Sequence, residues 1–258
     1  MRYIVLIGTF ILSVSFMLEG DGYIFAQTNN SLFVQANDLY RQGEYEKAKD
    51  IYEKLVFEKN IDSAELFYNL ANCYFKTDNL GKAVLNYKRA FMIDPRDKLI
   101  NDNLSFARGF IKFKVNDTRN WYIREGERIL SYITLDELQV VLLILFLMIV
   151  ILRLCLLLVK KGKILKRMSL FISIIFLISI SALILKISPL FSAPEAVITS
   201  AGADVRYGPS TADKVAFRLS EGIEVIITSE NNKWYKILLK SGKEGWIKDS
   251  SLEEVKWR

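Results

Sequence analysis

Two long apolar stretches, residues 138–159 and 168–187, lie close together in the chain and constrain its fold more than any other feature. Each is close to the ~20 residues that an α-helix needs to cross a bilayer core about 30 Å thick. Helices are the expected form, because backbone polar groups in hydrocarbon must be satisfied within the protein itself. The sequence therefore predicts two transmembrane helices with a soluble region on each side of the pair.

The connector between the two stretches, residues 160–167, is strongly basic. Its five cationic side chains are Lys160, Lys161, Lys163, Lys166 and Arg167. Short loops rich in Lys and Arg stay on the cytoplasmic side of a membrane. The soluble regions before residue 138 and after residue 187 are therefore both expected on the opposite, non-cytoplasmic side.

Residues 1–26 have the pattern of a secretory signal peptide. Arg2 supplies a short charged start, residues 4–18 form an apolar run, and Ala26 offers a small residue for cleavage. This pattern agrees with export of the first soluble region. The alternative is an uncleaved anchor, in which the apolar run stays in the membrane.

The net charge of +6 could indicate a nucleic-acid partner, but its distribution argues against one. Residues 28–119 carry fifteen Lys and Arg against thirteen Asp and Glu, and residues 195–258 carry ten of each. Because the excess lies mainly in the connector, it reflects membrane topology rather than a phosphate-binding surface. We expect no nucleic-acid partner.

The residue types needed for most catalytic sites are scarce in this chain. Histidine is absent, which removes a Ser–His–Asp or Cys–His arrangement and the commonest metal ligand. The two cysteines are Cys73, before the spans, and Cys155, within the first span, so no disulfide between them is expected. No pair of carboxylates is distinguished by its spacing. We expect no catalytic residue, no metal site, no cofactor and no enzymatic activity.

An internal repeat occupies the first soluble region, where residues 36–55 recur as residues 71–90. The matching pairs of small, aromatic and aliphatic residues are Ala36 with Ala71, Tyr40 with Phe75, Ala48 with Ala83, Tyr52 with Tyr87, and Leu55 with Ala90. The pattern resembles the tetratricopeptide repeat, which ends in Pro as this one does at Pro95. The resemblance implies an all-α domain at residues 28–118, with repeats at about 29–62 and 64–97 and a capping helix at 97–110.

The first helices of such repeats line a concave face. By this resemblance, the side chains on that face are Asn37, Tyr40, Arg41, Asn69, Asn72, Phe75 and Lys76. Asn can hydrogen-bond an extended peptide backbone, and Arg and Lys can meet its carboxylates. We predict a partner-binding groove here. The alternative is that these residues follow the repeat pattern and are simply solvated.

An interfacial segment is predicted at residues 119–137, between the repeats and the first span. Its aromatic and aliphatic side chains are Trp121, Tyr122, Ile129, Tyr132 and Ile133. Aromatic residues are enriched at the level of the lipid headgroups, which favours a helix lying in the membrane interface. The alternative is that this segment tucks under the repeat domain.

The C-terminal region, residues 195–258, changes to strand-like periodicity. Short runs are separated by turn residues, and they occupy residues 196–200, 215–219, 224–228, 234–239 and 244–248. The segments Val-Arg-Tyr-Gly-Pro-Ser at 205–210 and Gly-Lys-Glu-Gly-Trp-Ile at 242–247 look like a bacterial SH3-like domain, a small all-β barrel. The candidate cleft residues are Tyr207, Trp234, Tyr235 and Trp246. Because side chains alternate along a strand, Trp234 and Tyr235 should face opposite sides.

The order of these parts, over nearly the entire chain, resembles the BatE proteins of the Bat aerotolerance group. The operons of that group also encode von Willebrand A-domain membrane proteins and a MoxR-type AAA+ ATPase. The resemblance implies a scaffold or adaptor of the bacterial inner membrane, with both soluble domains in the periplasm, that works with those proteins in envelope or oxidative stress tolerance. Its implied contacts are proteins and the lipid bilayer. The alternative is a wall-sensing or transport-associated protein whose SH3-like domain binds peptidoglycan.

Overall fold

The structure, a computed structural model, describes residues 30–113, 115–158, 162–187 and 194–256. The predicted signal peptide and the connector residues Lys160 and Lys161 lie outside these ranges. Three regions follow one another along the chain. They are a helical domain at residues 30–113, three further helices, and a β domain at residues 194–256.

The helical domain is a series of antiparallel helices built on the internal repeat. Its helices are α1 at residues 30–41, α2 at Tyr45–Glu53 with a π-helical continuation at Lys54–Glu58, α3 at Ala64–Lys76, α4 at Leu80–Ile93, and α5 at Lys98–Gly109. The small residues of the repeat lie between the helices and are fully buried: Ala36, Ala48, Ala71, Ala83 and Ala90. Their missing bulk lets the helix axes approach closely, as the repeat pattern predicts.

The turn within each helix pair uses a residue in the left-handed region of the backbone. Gly43 has φ +82° in the first turn, and its counterpart Asp78 has φ +58° in the second. Asp tolerates this conformation better than most residues with a Cβ. Asn79 then caps α4, because its side-chain oxygen accepts a hydrogen bond from the Lys82 N–H at 3.3 Å. The second turn therefore forms without glycine.

The helix predicted after Pro95 is α5. Asp97 caps its start by accepting hydrogen bonds from the N–H groups of Leu99, at 2.7 Å, and Ile100, at 3.2 Å. The side chains of Ile100, Leu104 and Ala107 are buried against the second repeat. This helix closes the apolar end of the helical array.

Three helices follow the helical domain: α6 at Trp121–Ser131, α7 at Leu135–Leu158 and α8 at Lys163–Ile187. Within the described residues, α7 and α8 are long and apolar enough to cross a membrane. In the most apolar stretch of each helix, only 6% of the residues of α7 and 11% of those of α8 are buried. They pack on each other as a hairpin. The helix α8 begins within the predicted connector, because Lys163, Lys166 and Arg167 belong to it. Both side-chain types are good helix formers, so the helix extends beyond its apolar part.

The β domain is one antiparallel sheet. Its strands are β1 at Glu195–Ile198, β2 at Ala203–Arg206, β3 at Val215–Leu219, β4 at Glu224–Asn231, β5 at Trp234–Leu238, β6 at Glu244–Lys248, and β7 at Leu252–Glu254. Their order across the sheet is β3-β2-β6-β5-β4-β1-β7. The sequence predicted five of these strands. It missed β2 and β7, which have four and three residues.

The sheet curls around one apolar core. Leu219 of β3 and Leu252 of β7, which belong to the two edge strands, are buried in the same cluster as Ile237 and Ile247 of the central strands. A flat sheet could not bring its two edges to one core. The curled sheet therefore encloses its apolar face, as the predicted barrel required.

The helical domain and the β domain share a buried interface. Val197 and Val255 of the β domain belong to the core of the helical domain, while Ile111, just after α5, packs against the core of the β domain. The Thr118 N–H also donates to the Lys240 carbonyl at 3.3 Å. The two domains therefore form one continuous body, although a membrane hairpin separates them in sequence.

Candidate functional site: the helical groove and the β-domain pocket

A hydrogen bond repeats in the groove at the same spacing as the sequence. The Tyr52 hydroxyl donates to Asn37 Oδ1 at 2.6 Å, and the equivalent Tyr87 hydroxyl donates to Asn72 Oδ1. Burial raises the pKa of both tyrosines, which keeps the hydroxyls protonated as donors. Asn69 Nδ2 joins the network by donating to Asn37 Oδ1 at 3.2 Å. The groove asparagines thus hold the two repeats together, and what they can offer a peptide is amide donors.

The other predicted polar residues lie at the end of the groove near the turn after α1. The rings of Tyr40 and Tyr45 meet edge to face, with centroids 5.1 Å apart, and Lys76 Nζ lies 5.9 Å from the Tyr45 ring centroid. Arg41 is exposed and pairs with Asp38 at 3.1 Å. Two exposed cations therefore border an aromatic surface, where they can meet acidic groups of a ligand.

The predicted groove residue Phe75 belongs to an aromatic cluster that we call the aromatic shelf: Phe75, Phe106 and Phe110. The ring centroid of Phe75 lies 5.7 Å from that of Phe106 and 5.3 Å from that of Phe110. The side chains of Phe106 and Phe110 are 58% and 54% exposed. Large aromatic side chains in contact with each other and with solvent are typical of interaction surfaces.

The sequence interpretation missed Phe106 and Phe110, although a pattern for them exists. Leu99, Asn103 and Phe106 of α5, with Phe110 directly after its end, follow helical spacing on a different side from the buried face. Asn103 Nδ2 donates to the Tyr68 hydroxyl at 3.1 Å, which fixes this side of α5 against α3. A second apolar stripe on a capping helix was the available sign that α5 also lines the groove.

The four candidate cleft residues of the β domain separate into three locations. Trp234 and Trp246 lie on the outer face of the sheet, diagonal to each other across β5 and β6. Tyr235 faces the other side and packs against the apolar core. Tyr207 is highly exposed just after β2. Trp234 and Tyr235 thus face opposite sides, as alternation predicted, and Tyr235 is not available to an outer cleft.

A surface pocket lies beside Trp234. Its lining residues are Thr211, Lys233, Trp234, Lys248, Asp249 and Ser250. Lys248 Nζ lies 5.9 Å from the Trp234 ring centroid, so a cation sits over the aromatic face. The pocket combines an apolar wall with hydroxyl, carboxylate and ammonium groups. That mixture suits a polar ligand with a flat apolar side, such as a sugar or a short peptide.

Comparison with family models identifies both kinds of domain. Residues 64–97 match the model described as tetratricopeptide repeat, and residues 201–253 match the model described as bacterial SH3 domain. The chain contains a tetratricopeptide repeat and a bacterial SH3 domain. No curated protein matches the chain. The helix pair at residues 30–58 precedes the matched repeat, and it is related to that repeat by the equivalent Tyr–Asn hydrogen bonds.

The bacterial SH3 domain lies against α4, the outer helix of the matched repeat, through buried charges. Glu224 Oε2 accepts from Lys88 Nζ at 2.7 Å, and Glu224 Oε1 accepts from Arg108 Nε at 2.7 Å. The side chains of Glu224 and Lys88 are each only 10% exposed. Burial alone would raise the pKa of the Glu224 carboxyl, but Lys88, Arg108 and Lys240 hold that pKa well below its usual range. The carboxylate is therefore charged and fully engaged between the domains.

The start of α4 also lies close against the β domain. The Gly81 N–H donates to Glu221 Oε2 at 3.1 Å, which places a carboxylate at the helix N-terminus. A Cβ on Gly81 would lie 2.7 Å from the Ile198 carbonyl oxygen and 2.8 Å from Thr199 Cα. Glycine is required here because the β-domain backbone occupies the space of a side chain.

Proposed function

We propose that this protein is a non-enzymatic, membrane-anchored adaptor that holds a segment of a partner protein in the groove of its helical domain. The hairpin of α7 and α8 anchors it in the bacterial inner membrane, and both soluble domains face the periplasm. The partners that the resemblance to BatE proteins implies are von Willebrand A-domain membrane proteins acting with a MoxR-type ATPase, in envelope or oxidative stress tolerance.

One observation carries this proposal: the groove and the domain interface use different side chains. The β domain packs on α4 and pairs with Arg108 of α5, while the groove residues belong to α1, α3 and the Phe106 side of α5. The groove is therefore open, with amide donors along it, the aromatic shelf at its α5 side, and cations at one end. A peptide with an apolar anchor residue and nearby acidic groups suits this arrangement.

The placement of both domains on one side of the membrane is supported by their shared interface. Domains on opposite faces of a bilayer could not bury Lys88 against Glu224. At 24 and 25 residues, α7 and α8 are long enough to cross the hydrocarbon core with some to spare. The basic residues at the start of α8 favour the cytoplasm for the other end of the hairpin.

Photo-cross-linking in intact bacteria tests the adaptor proposal. A photoreactive amino acid replaces Phe106 in the groove or, as the control, Lys47, which is exposed on α2 outside it. We expect a specific protein adduct from position 106 that is absent from position 47, with von Willebrand A-domain proteins among the trapped partners. Equal labelling at both positions, or cell-wall material alone, would contradict the adaptor proposal.

A second function, peptidoglycan binding, is favoured by the pocket beside Trp234 in the bacterial SH3 domain. Titration of the detergent-solubilised protein with muropeptides, followed by tryptophan fluorescence, measures it. Binding in this pocket predicts a saturable change that is lost in Lys248→Ala, which alters the lining but keeps the Trp234 fluorophore, and that persists in Tyr207→Phe, since Tyr207 is outside the pocket lining. A flat titration in the unsubstituted protein would exclude this second function.

A further inference from the structure

The short turn between α6 and α7 is closed by two hydrogen bonds. Thr134 Oγ1 accepts from the Glu137 N–H at 3.2 Å, while Glu137 Oε2 accepts from the Thr134 N–H at 3.0 Å. This reciprocal pair is a capping box, and it fixes the direction in which the chain enters α7. Because only three residues separate Ser131 from Leu135, α6 cannot move far from the end of the hairpin.

The far end of α8 holds α6 from the other side. Lys186, next to the last residue of α8, donates its ammonium to the Leu130 carbonyl at 2.7 Å and to the Ile133 carbonyl. These carbonyls lie at the C-terminus of α6, where a helix has unpaired acceptors and a partial negative charge. The positions of Lys186 and Glu137 define the level at which the hairpin leaves the apolar layer.

The helical domain reaches this same level through the end of α4. Arg96, just after α4, forms an ion pair with Glu137, and the Phe91 ring lies 6.4 Å from the Tyr132 ring, centroid to centroid. The two residues that follow Phe91, Met92 and Ile93, are both exposed. Exposing two adjacent large apolar side chains to water at the end of α4 is unfavourable, whereas contact with lipid would cover them.

Exposed apolar side chains also remain on α6. Trp121, Tyr122 and Ile129 are exposed, whereas Ile123 and Leu130 on the other side of the helix are half-buried. Tryptophan and tyrosine favour the headgroup level of a bilayer, where the ring is partly buried and its polar atom stays hydrated. Together with Met92 and Ile93, these three residues form what we call the seating face.

We propose that the seating face, Met92, Ile93, Trp121, Tyr122 and Ile129, rests in the headgroup layer of the phospholipid bilayer. The helical domain is then seated on the membrane by the end of α4 rather than suspended from a linker, and the orientation of the groove relative to the membrane is fixed. Continuity with the α7–α8 hairpin argues for lipid as the occupant. This inference rests on the proposed membrane anchoring of α7 and α8.

Spin-label accessibility in the full chain tests the seating face. Cys155→Ala removes the thiol in the hairpin, while Cys73 can remain because it is buried and burial raises its pKa to about 12. Single nitroxides at Met92→Cys, Ile93→Cys and Ile129→Cys are compared in nanodiscs of phosphatidylethanolamine and phosphatidylglycerol. The measured quantity is the ratio of collisions with oxygen, which enters lipid, to collisions with a water-soluble nickel chelate.

Two further labels serve as references. Val34→Cys is the matched aqueous control, because Val34 is an apolar residue of the same domain with 49% exposure against 53% for Met92. Leu147→Cys, exposed in the middle of α7, reports the hydrocarbon. We expect ratios at positions 92, 93 and 129 that are several-fold above that at position 34 and below that at position 147.

The references separate the two ways in which the inference can fail. If positions 92 and 93 match position 34 while position 147 is lipid-exposed, the helical domain stands clear of the membrane and the seating face is wrong, whatever position 129 shows. If position 147 is itself water-exposed, the membrane anchoring has failed and the seating face falls with it.

Discussion

The two sides of the second repeat differ in burial: charged side chains are buried on one side, and aromatic side chains are exposed on the other. On the outer side, α4 buries Lys88 and Arg89 against the β domain, where each meets acceptors from that domain. On the groove side, the aromatic shelf is more than half exposed at Phe106 and Phe110. The outer side has a partner within the chain, and the groove side has none among the described residues. The groove is therefore the surface that we propose for binding another protein.

The largest test of this contrast removes the central charge of the interface. Glu224→Gln sets the buried Lys88 and the partly exposed Arg108 against a neutral amide, while Lys88 keeps its second ion pair with Glu195 at 2.5 Å. Loss of one partner of a buried pair typically costs ~3–5 kcal/mol, and the pair with Glu195 places the expected loss at the lower end of that range. We expect a loss of that order in the free energy of unfolding, measured by denaturant unfolding in detergent. The control is Glu244→Gln on the same domain, whose pair with Lys236 is largely exposed and should be worth at most about 1 kcal/mol.

A smaller loss in the free energy of unfolding is expected from Gly81→Ala, although this substitution usually stabilises a helix. Alanine normally stabilises a helix relative to glycine by about 1 kcal/mol, but here its Cβ would overlap the backbone near Ile198. Overpacking of this kind costs typically ~1–3 kcal/mol, so the variant should be less stable than the unsubstituted protein. Gly109→Ala, where a Cβ meets open space, should be neutral or stabilising. Stabilisation by both substitutions would show that the two domains do not pack at α4.

The pH dependence of stability should carry the signature of Glu224. Its native pKa is depressed, so its contribution is fully present above the ordinary Glu value of about 4.3 and is lost as the pH falls toward the native pKa. The expected slope is at most about 1.4 kcal/mol per pH unit. Asp117, whose pKa hydrogen bonds from Arg119 lower to about 2, titrates in the unsubstituted protein and in Glu224→Gln alike. Unfolding curves from pH 6 to pH 3 should therefore be flatter for Glu224→Gln, and identical slopes would contradict the assignment.

Much of the fold follows from periodicity, but the interface does not. The repeats, the spans and five strands show up as apolar patterns within single segments. By contrast, Lys88 and Glu224 lie 136 residues apart, and α4 has the ordinary pattern of a repeat helix. Gly81 likewise looks like a tolerated helix residue until the β-domain backbone is placed against it. A sequence pattern describes the surface of one segment at a time, so it does not show which surface a second domain covers.

The contacts of the predicted groove residues followed from the sequence only in part, for a related physical reason. The resemblance placed equivalent positions of the two repeats, among them Asn37, Asn72 and Phe75, on the predicted concave face. It could not show that Tyr52 and Tyr87 already occupy the oxygens of the two asparagines, because each bond joins different helices. The aromatic shelf needs α5, which lies beyond the repeat pattern.

The smallest effect on stability is expected from the groove itself. Phe106→Ala removes an exposed ring, and exposed substitutions usually change the free energy of unfolding by no more than about 0.5 kcal/mol. The same substitution should abolish partner capture in pull-downs from detergent-solubilised membranes. Val215→Ala, an exposed apolar residue of the β domain, should leave both stability and capture intact. Undiminished capture by Phe106→Ala would move the binding surface away from the aromatic shelf.

The central claim is that the helical and β domains form one rigid body on one side of the membrane, leaving the groove open. Pulsed electron–electron double resonance measures the distance between nitroxides at Val34→Cys in the helical domain and Tyr207→Cys in the β domain, in the Cys155→Ala chain in nanodiscs. Both positions are exposed and can carry a label. We expect a single narrow distance distribution that broadens when Glu224→Gln is added. A broad distribution before that substitution, spread over tens of ångströms, would show that the domains move independently and would contradict the claim.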